Sequence, residues 1–191
     1  MLSKIVDEVS GAVTAAIQGV DNILDVVTDT VKNQVVGALQ DVGDVAGASV
    51  ETVASVASGA VKGVGQVGGS LVDTAASTMT GIIKGVSQVG GDVGGAVRGA
   101  ARGIVQGTAE TGGDVGSAAV GAVESAIKSA GDMGADVSGA AKAAVGGALE
   151  AATSVGGDAT STVRSALLSA AALPRDIIEA ALKGSDGSDN K

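Results

Sequence analysis

The sequence predicts an all-α protein: a long, mostly continuous amphipathic helix of eight 22-residue repeats that associates with other helices. Two observations carry this prediction. Glycine doublets return with a 22-residue period, and the apolar residues between them keep one phase from residue 1 to residue 176. The apolar positions follow at steps of four or three residues, so one repeat covers six turns at about 3.67 residues per turn, a helical spacing. Because this period is twice an 11-residue one, the apolar seam predicts a straight or weakly right-handed supercoil.

The chain divides into three sections. Residues 1–44 hold two repeats without the glycine doublet and are rich in β-branched and acidic residues. Residues 45–172 are the Gly/Ala/Val-rich repeat array. Residues 173–191 are expected to form a short helix, with Pro174 near its start and Gly184 as its C-cap, followed by a polar tail. Pro174 is expected to end the array, because proline disfavours the helical conformation of the residue before it.

The glycine content, 32 residues, opposes a helix. Each glycine inside a helix costs about 0.5–1 kcal/mol relative to alanine, so a helix of this composition needs a partner surface. Small residues at four-residue spacing let helix backbones approach closely. We therefore predict close-approach glycines at the doublets and a helix-packing face of β-branched residues. The close-approach glycines are Gly68, Gly69, Gly90, Gly91, Gly112, Gly113, Gly156 and Gly157, and the packing face consists of Val93, Val97, Val105, Val115, Val123, Ile127, Val137 and Val145.

The doublets also allow a second architecture, in which several helices of about 18 residues turn at each doublet. Glycine would then cap the end of one helix, and an aspartate from the set Asp92, Asp114, Asp136 and Asp158 would cap the start of the next. The preserved phase and the first two repeats, which lack a doublet, favour the continuous helix. The rarity of a long bare rod favours the shorter helices. A third interpretation, a largely disordered free chain, follows from the absence of aromatic residues and the high glycine content.

The composition excludes most chemistry. The chain has no histidine, cysteine or aromatic residue, so the usual catalytic triads and zinc sites cannot form. We predict no catalytic residues, no cofactor and no metal site, and hence a protein that is not an enzyme. The net charge of −9 argues against a nucleic-acid partner. No apolar stretch marks a signal peptide or a membrane-spanning helix, so the expected location is the cytoplasm, with or without peripheral attachment to a membrane.

The phrases VGGSL at Val67, VGGDV at Val89 and TGGDV at Thr111 are typical of a known class of repeats. Gapless 11-residue amphipathic repeats rich in such phrases resemble the lipid-surface helices of synucleins and perilipins, and they resemble 11-residue (hendecad) coiled coils. The resemblance is one of period and composition over residues 1–172. It implies an extended helix that binds another helix or a lipid surface, and it carries over no particular binding residue.

Two functions follow from these patterns. The first is a non-catalytic structural protein whose repeat helices pack through Val/Ala/Gly faces into a homo-oligomeric rod, layer or filament. The second is a peripheral amphipathic-helix coat on a membrane or another hydrophobic surface. Interfacial helices usually combine large apolar residues with a basic polar face. The small apolar residues and the acidic balance of this chain favour self-assembly.

Overall fold

Helices joined by short links make up the described chain. The structure is a computed structural model that describes residues 2–17, 23–42 and 50–186, and within these ranges it contains nine helices and no strand. The helices are α1 Leu2–Ile17, α2 Ile23–Val42, α3 Val50–Gln66, α4 Leu71–Gln88, α5 Val93–Glu110, α6 Val115–Asp132, α7 Val137–Val155, α8 Gly157–Ser169 and α9 Arg175–Asp186. The prediction of an all-α fold with helices packed on one another is confirmed.

The prediction of one mostly continuous helix is wrong, because the glycine doublets end helices. Helices α4, α5 and α6 have 18 residues each, and the starts of α4 to α7 are each separated by one repeat period. An 18-residue helix and its four-residue link together contain as many residues as six turns of unbroken helix, namely one repeat period. The preserved phase therefore did not distinguish the two architectures, and the second one, with turns at the doublets, is the one observed.

The four turns that join α3 to α7 are each built on a glycine with a positive φ angle. At the end of α4, Gly90 has a φ of 72° and its N–H donates to the Ser87 carbonyl at 3.2 Å. The N–H of Gly91 donates to the Val86 carbonyl at 3.0 Å. This pair of bonds is the Schellman motif, which satisfies the last carbonyls of a helix and favours glycine at the left-handed position. Positive φ angles return at Gly68, Gly112 and Gly134 with the same two bonds.

Aspartates begin two of the next helices. Asp114 accepts bonds from two backbone N–H groups of α6, at 3.0 and 3.1 Å, and Asp136 accepts one from α7 at 2.9 Å. Side-chain and backbone hydrogen bonds from Ser117 lower the pKa of Asp114. Asp92 occupies the N-cap of α5 without a side-chain capping bond, and Asp158 lies inside α8 rather than before it. Three of the four aspartates thus occupy the N-cap position expected of the shorter helices, and the side chains of two of them cap the helix.

The helices form two layers. Each helix from α1 to α7 packs on the next helix and on the next but one. Helices α1, α3, α5 and α7 make the first layer, on which α9 continues by packing on α7, and α2, α4, α6 and α8 make the second. A Cβ atom at Gly59 of α3 would lie 2.7 Å from the Val6 carbonyl oxygen of α1, and one at Gly63 would lie 2.8 Å from that of Ser10. Because both contacts advance by four residues in the same direction, α1 and α3 are parallel.

A single cluster of buried side chains runs through both layers. Its largest fully buried side chains include Met79, Ile82, Ile83 and Ile104, and valine and alanine supply most of the rest. Burial of such aliphatic groups stabilises a fold by about 25 cal/mol per Å² removed from water. The chain thus provides from its own helices the partner surface that its glycine content requires.

The sections found in the sequence do not pack as separate units. Helices α1 and α2 of residues 1–44 pack on α3 and α4 within the same two layers. Helix α8 ends at Ser169 and α9 begins directly after Pro174, where a short terminal helix was expected. The prediction of Gly184 as its C-cap is wrong, because α9 continues through Gly184 to Asp186. Residues 187–191, the rest of the predicted polar tail, lie outside the described residues.

A substitution at Gly90 tests the origin of the turns. We expect Gly90→Ala to lower the free energy of unfolding by about 1–2 kcal/mol, since a left-handed backbone costs a residue with a Cβ atom about that much. Gly90→Asn should cost less, because asparagine tolerates this conformation. Urea denaturation of the two variants beside the wild type measures the difference. An alanine variant as stable as the wild type would contradict a left-handed turn at this position.

Candidate functional surfaces

The predicted packing face lies inside the fold of one chain. Val97, Val105, Val123 and Val145 are fully buried. Val93, Val115 and Ile127 are partly buried and pack against the core, and Val137 is partly buried. The face therefore joins helices of the same molecule.

The doublet glycines have a role different from the one predicted for them. Gly68, Gly90, Gly112 and Gly156 carry positive φ angles, and a Cβ atom at any of them, or at Gly157, would meet no atom within 4 Å. Gly91 donates the hydrogen bond that closes its turn. Gly69 and Gly113 are crowded: a Cβ atom would collide with Val64 at the first and with Leu71 and Thr108 at the second. Except at these two crowded positions, the doublets reverse the chain rather than bring helices together.

Another set of glycines makes the close approaches between parallel helices. In each case the glycine of the later helix faces a backbone carbonyl of the helix two before it, so closely that a Cβ atom would displace the neighbour. The glycines are Gly59 and Gly63 in α3, Gly81 and Gly85 in α4, Gly99, Gly103 and Gly107 in α5, and Gly147 in α7. We call this arrangement the glycine–carbonyl contact. It was missed from the sequence, although the small residues at every fourth position were its signal.

A hydroxyl group replaces glycine at one equivalent position. Ser125 of α6 lies one repeat period after Gly103, and its Oγ donates to the Ala76 carbonyl of α4 at 2.9 Å. Its Oγ also lies 3.0 Å from Thr80 Oγ1. Serine is thus accommodated in the contact because its hydroxyl bonds the carbonyl that glycine would otherwise approach.

Ion pairs cross between neighbouring helices of the first layer. The pairs are Lys62 with Glu110, Arg98 with Glu150, and Arg102 Nη1 with Glu51 Oε1 at 3.5 Å. The hydrogen bond to Glu150 raises the pKa of Arg98 against the opposing effect of burial. Burial raises the pKa of Glu110, but bonds from Lys62 and Gln106 outweigh it, so that the pKa is lowered. Such partly exposed pairs are worth about 0–1 kcal/mol each, and each places a carboxylate beside a cation of this layer.

A groove of about 560 Å³ crosses α2, α4 and α6 on the second layer. Its lining includes the exposed Lys84 and Lys128, neither of which forms an ion pair within the described part of the chain. Val72 and Met133 also line it, and they are 41% and 40% exposed. These basic residues therefore lie on different layers. Arg98 and Arg102 of α5 are paired with carboxylates on the first layer, and Lys84 and Lys128 lie on the second.

No described helix has the length and apolar character needed to span a bilayer. Comparison of the chain with known protein families and with curated proteins gives no match.

Proposed function

We propose that the chain is a non-catalytic structural protein of the helical-repeat kind, whose copies self-assemble into an oligomeric rod or filament. The supporting observation is the glycine–carbonyl contact, which every helix from α3 to α7 makes or replaces by a hydroxyl bond. In a stack of this type each unit touches only its neighbours, so the packing itself sets no limit on the number of units. Further copies extend such a stack without a new kind of contact.

The alternative function, a peripheral coat on a lipid surface, has less support. It needs an apolar face free to enter the membrane, whereas the Val/Ala face is taken up by the core. It also benefits from unpaired cations on one surface, each worth about 1 kcal/mol on an anionic membrane. Arg98 and Arg102 are paired with carboxylates on the first layer, and Lys84 and Lys128 lie on the second.

Two measurements separate these functions. We expect the mass of the wild-type chain, from light scattering, to rise with protein concentration. We also expect the chain to remain in the aqueous fraction when it is centrifuged with anionic vesicles. Replacing Lys84, Arg98, Arg102 and Lys128 with glutamine should leave the assembly size nearly unchanged. Strong flotation of the wild type with the vesicles, lost in the glutamine variant, would favour the lipid coat.

A further inference from the structure

The glycine–carbonyl contact has a direction. In the described helices, the glycines of a later helix face the carbonyls of the helix two before it, never the reverse. Gly81 of α4 faces the Thr28 carbonyl of α2 at 2.6 Å, Gly99 of α5 faces the Val50 carbonyl of α3 at 2.6 Å, and Gly121 of α6 faces the Val72 carbonyl of α4 at 3.2 Å, all measured from a Cβ placed on the glycine. Helices α3 to α7 therefore each have a glycine side toward the N-terminal end of their layer, and helices α1 to α5 each have a carbonyl side toward its C-terminal end.

Helix α2 presents an uncovered glycine side, which we call the N-terminal edge. Gly37 occupies the same place in the 22-residue period as Gly59, Gly81, Gly103 and Gly147, all of which are buried against an earlier helix. At Gly37, which is only partly buried, a Cβ atom would meet nothing within 4 Å. No helix of the described chain precedes α2 in its layer, so the surface that continues the stack is open here.

Helix α8 presents an uncovered carbonyl side, which we call the C-terminal edge. The side of α8 that faces α6 has no glycine contact; its Thr162 and Ala166 side chains instead lie within 3.2 Å of a Cβ placed on Gly116 of α6, so this side is used inside the chain. The period assigns Thr160 and Leu168 to the carbonyl side of α8, because the carbonyls at the equivalent positions, Thr28 and Ser58, face Gly81 and Gly107. Thr160 follows Thr28 by six 22-residue periods, and Leu168 is 39% exposed, one of the few large apolar side chains exposed in the described part of the molecule.

From these two edges we infer that the partner of the N-terminal edge is the C-terminal edge of a second copy, with α2 of one chain packed beside α8 of the next. The inference rests on the proposed self-assembly and adds its surface and its direction. We call this contact between two chains the joint. The argument for it is continuity, because the joint repeats the contact that α4 makes with α2 inside the second layer. Such a head-to-tail contact joins two different surfaces, so it extends without closing and produces a filament.

The joint should be weaker than the contacts inside the chain. Beside Gly37, the N-terminal edge carries Asn33 and Gln34, whereas Ala100 and Ala122 take the place of Gln34 in later helices and are fully buried. Polar residues of this kind are typical of the interfaces of non-obligate assemblies. We therefore expect assembly that depends steeply on protein concentration.

Blocking each edge separately tests the inference on the whole chain. Gly37→Arg places a long charged side chain on the N-terminal edge, and Leu168→Arg places one on the C-terminal edge. Each variant alone should remain at the monomer mass of 17.9 kDa at concentrations where the wild type grows. An equimolar mixture should form a complex of one copy of each and stop there, because only one intact pair of edges is available. Gly131→Arg, at an exposed glycine in the last turn of α6, is the matched control and should assemble as the wild type does.

The outcomes separate this inference from the proposed function. A wild type that grows with concentration and is unaffected by either edge variant would overturn the joint and leave self-assembly in place. Growth to a dimer that the Leu168→Arg variant still forms would show that two N-terminal edges pair with each other, which also overturns it. A monomer at every concentration would overturn both the joint and the proposed function. Circular dichroism melts check that the variants fold, and the two edges give independent readings should one variant unfold.

Discussion

Replacing Gly147 with alanine is expected to destabilise the chain by about 1–3 kcal/mol, whereas the same change at the adjacent Gly146 should stabilise it by about 0.5–1 kcal/mol. A Cβ atom at Gly147 would collide with the carbonyl of Arg98 in α5, so α5 and α7 would have to move apart. At Gly146 a Cβ atom meets nothing within 4 Å, and alanine is the better helix former.

Urea denaturation of the two variants measures both signs, with the wild type as the reference. The two glycines share one helix and nearly the same helix propensity cost, so each serves as the control for the other. Equal effects at Gly146 and Gly147 would show that α5 and α7 do not approach as closely as the structure places them. Gly103→Ala, directed at the Ala54 carbonyl of α3, should repeat the loss at another pair of helices.

Truncating Ile104 to alanine is expected to cost about 2–5 kcal/mol, the usual range for removing a large aliphatic side chain from a close-packed core. Ile104 is fully buried in the centre of α5 and is one of the largest core side chains in a protein without aromatic residues. The control is Val155→Ala, since Val155 is 48% exposed at the end of α7 and should change stability by less than about 0.5 kcal/mol.

The same denaturation measurement applies to both variants of this pair. A loss at Ile104 no larger than the loss at Val155 would mean that the two layers are not packed on each other as tightly as the burial of Ile104 indicates. Thermal melts followed by circular dichroism give an independent reading, because the helices depend on this core for their partner surface.

Much of the local structure could be predicted from the sequence. The helical class follows from the spacing of Val97, Val105 and Val123, all of which are buried as expected. The capping roles of Asp114 and Asp136 follow from their position after Gly112-Gly113 and after Gly134-Ala135, which stands in the place of a doublet. These features depend on residues within one helix or one turn, where a single period decides which side chains share a face.

The choice between a rod and a stack of short helices could not be made this way. The 22-residue period is equally consistent with six helical turns and with an 18-residue helix plus a four-residue link. The decision depends on whether Gly90 and its equivalents adopt a positive φ, and on the core that forms once the chain turns back. The free energy that favours the turned chain comes from packing, and it is gained only when helices far apart in the sequence meet.

Some properties of the candidate functional surfaces could likewise be predicted from the sequence, and others depend on the tertiary structure. Composition alone sets the acidic net charge, the aliphatic core material and the lack of side chains for the usual catalytic triads. Tertiary structure alone decides that Gly103 and Gly147 face carbonyls, that Arg98 is neutralised by Glu150, and that Gly37 remains uncovered. The physical reason is range: propensity and periodicity act within a helix, whereas a close approach or an ion pair between residues some 50 positions apart exists only after the layers have packed.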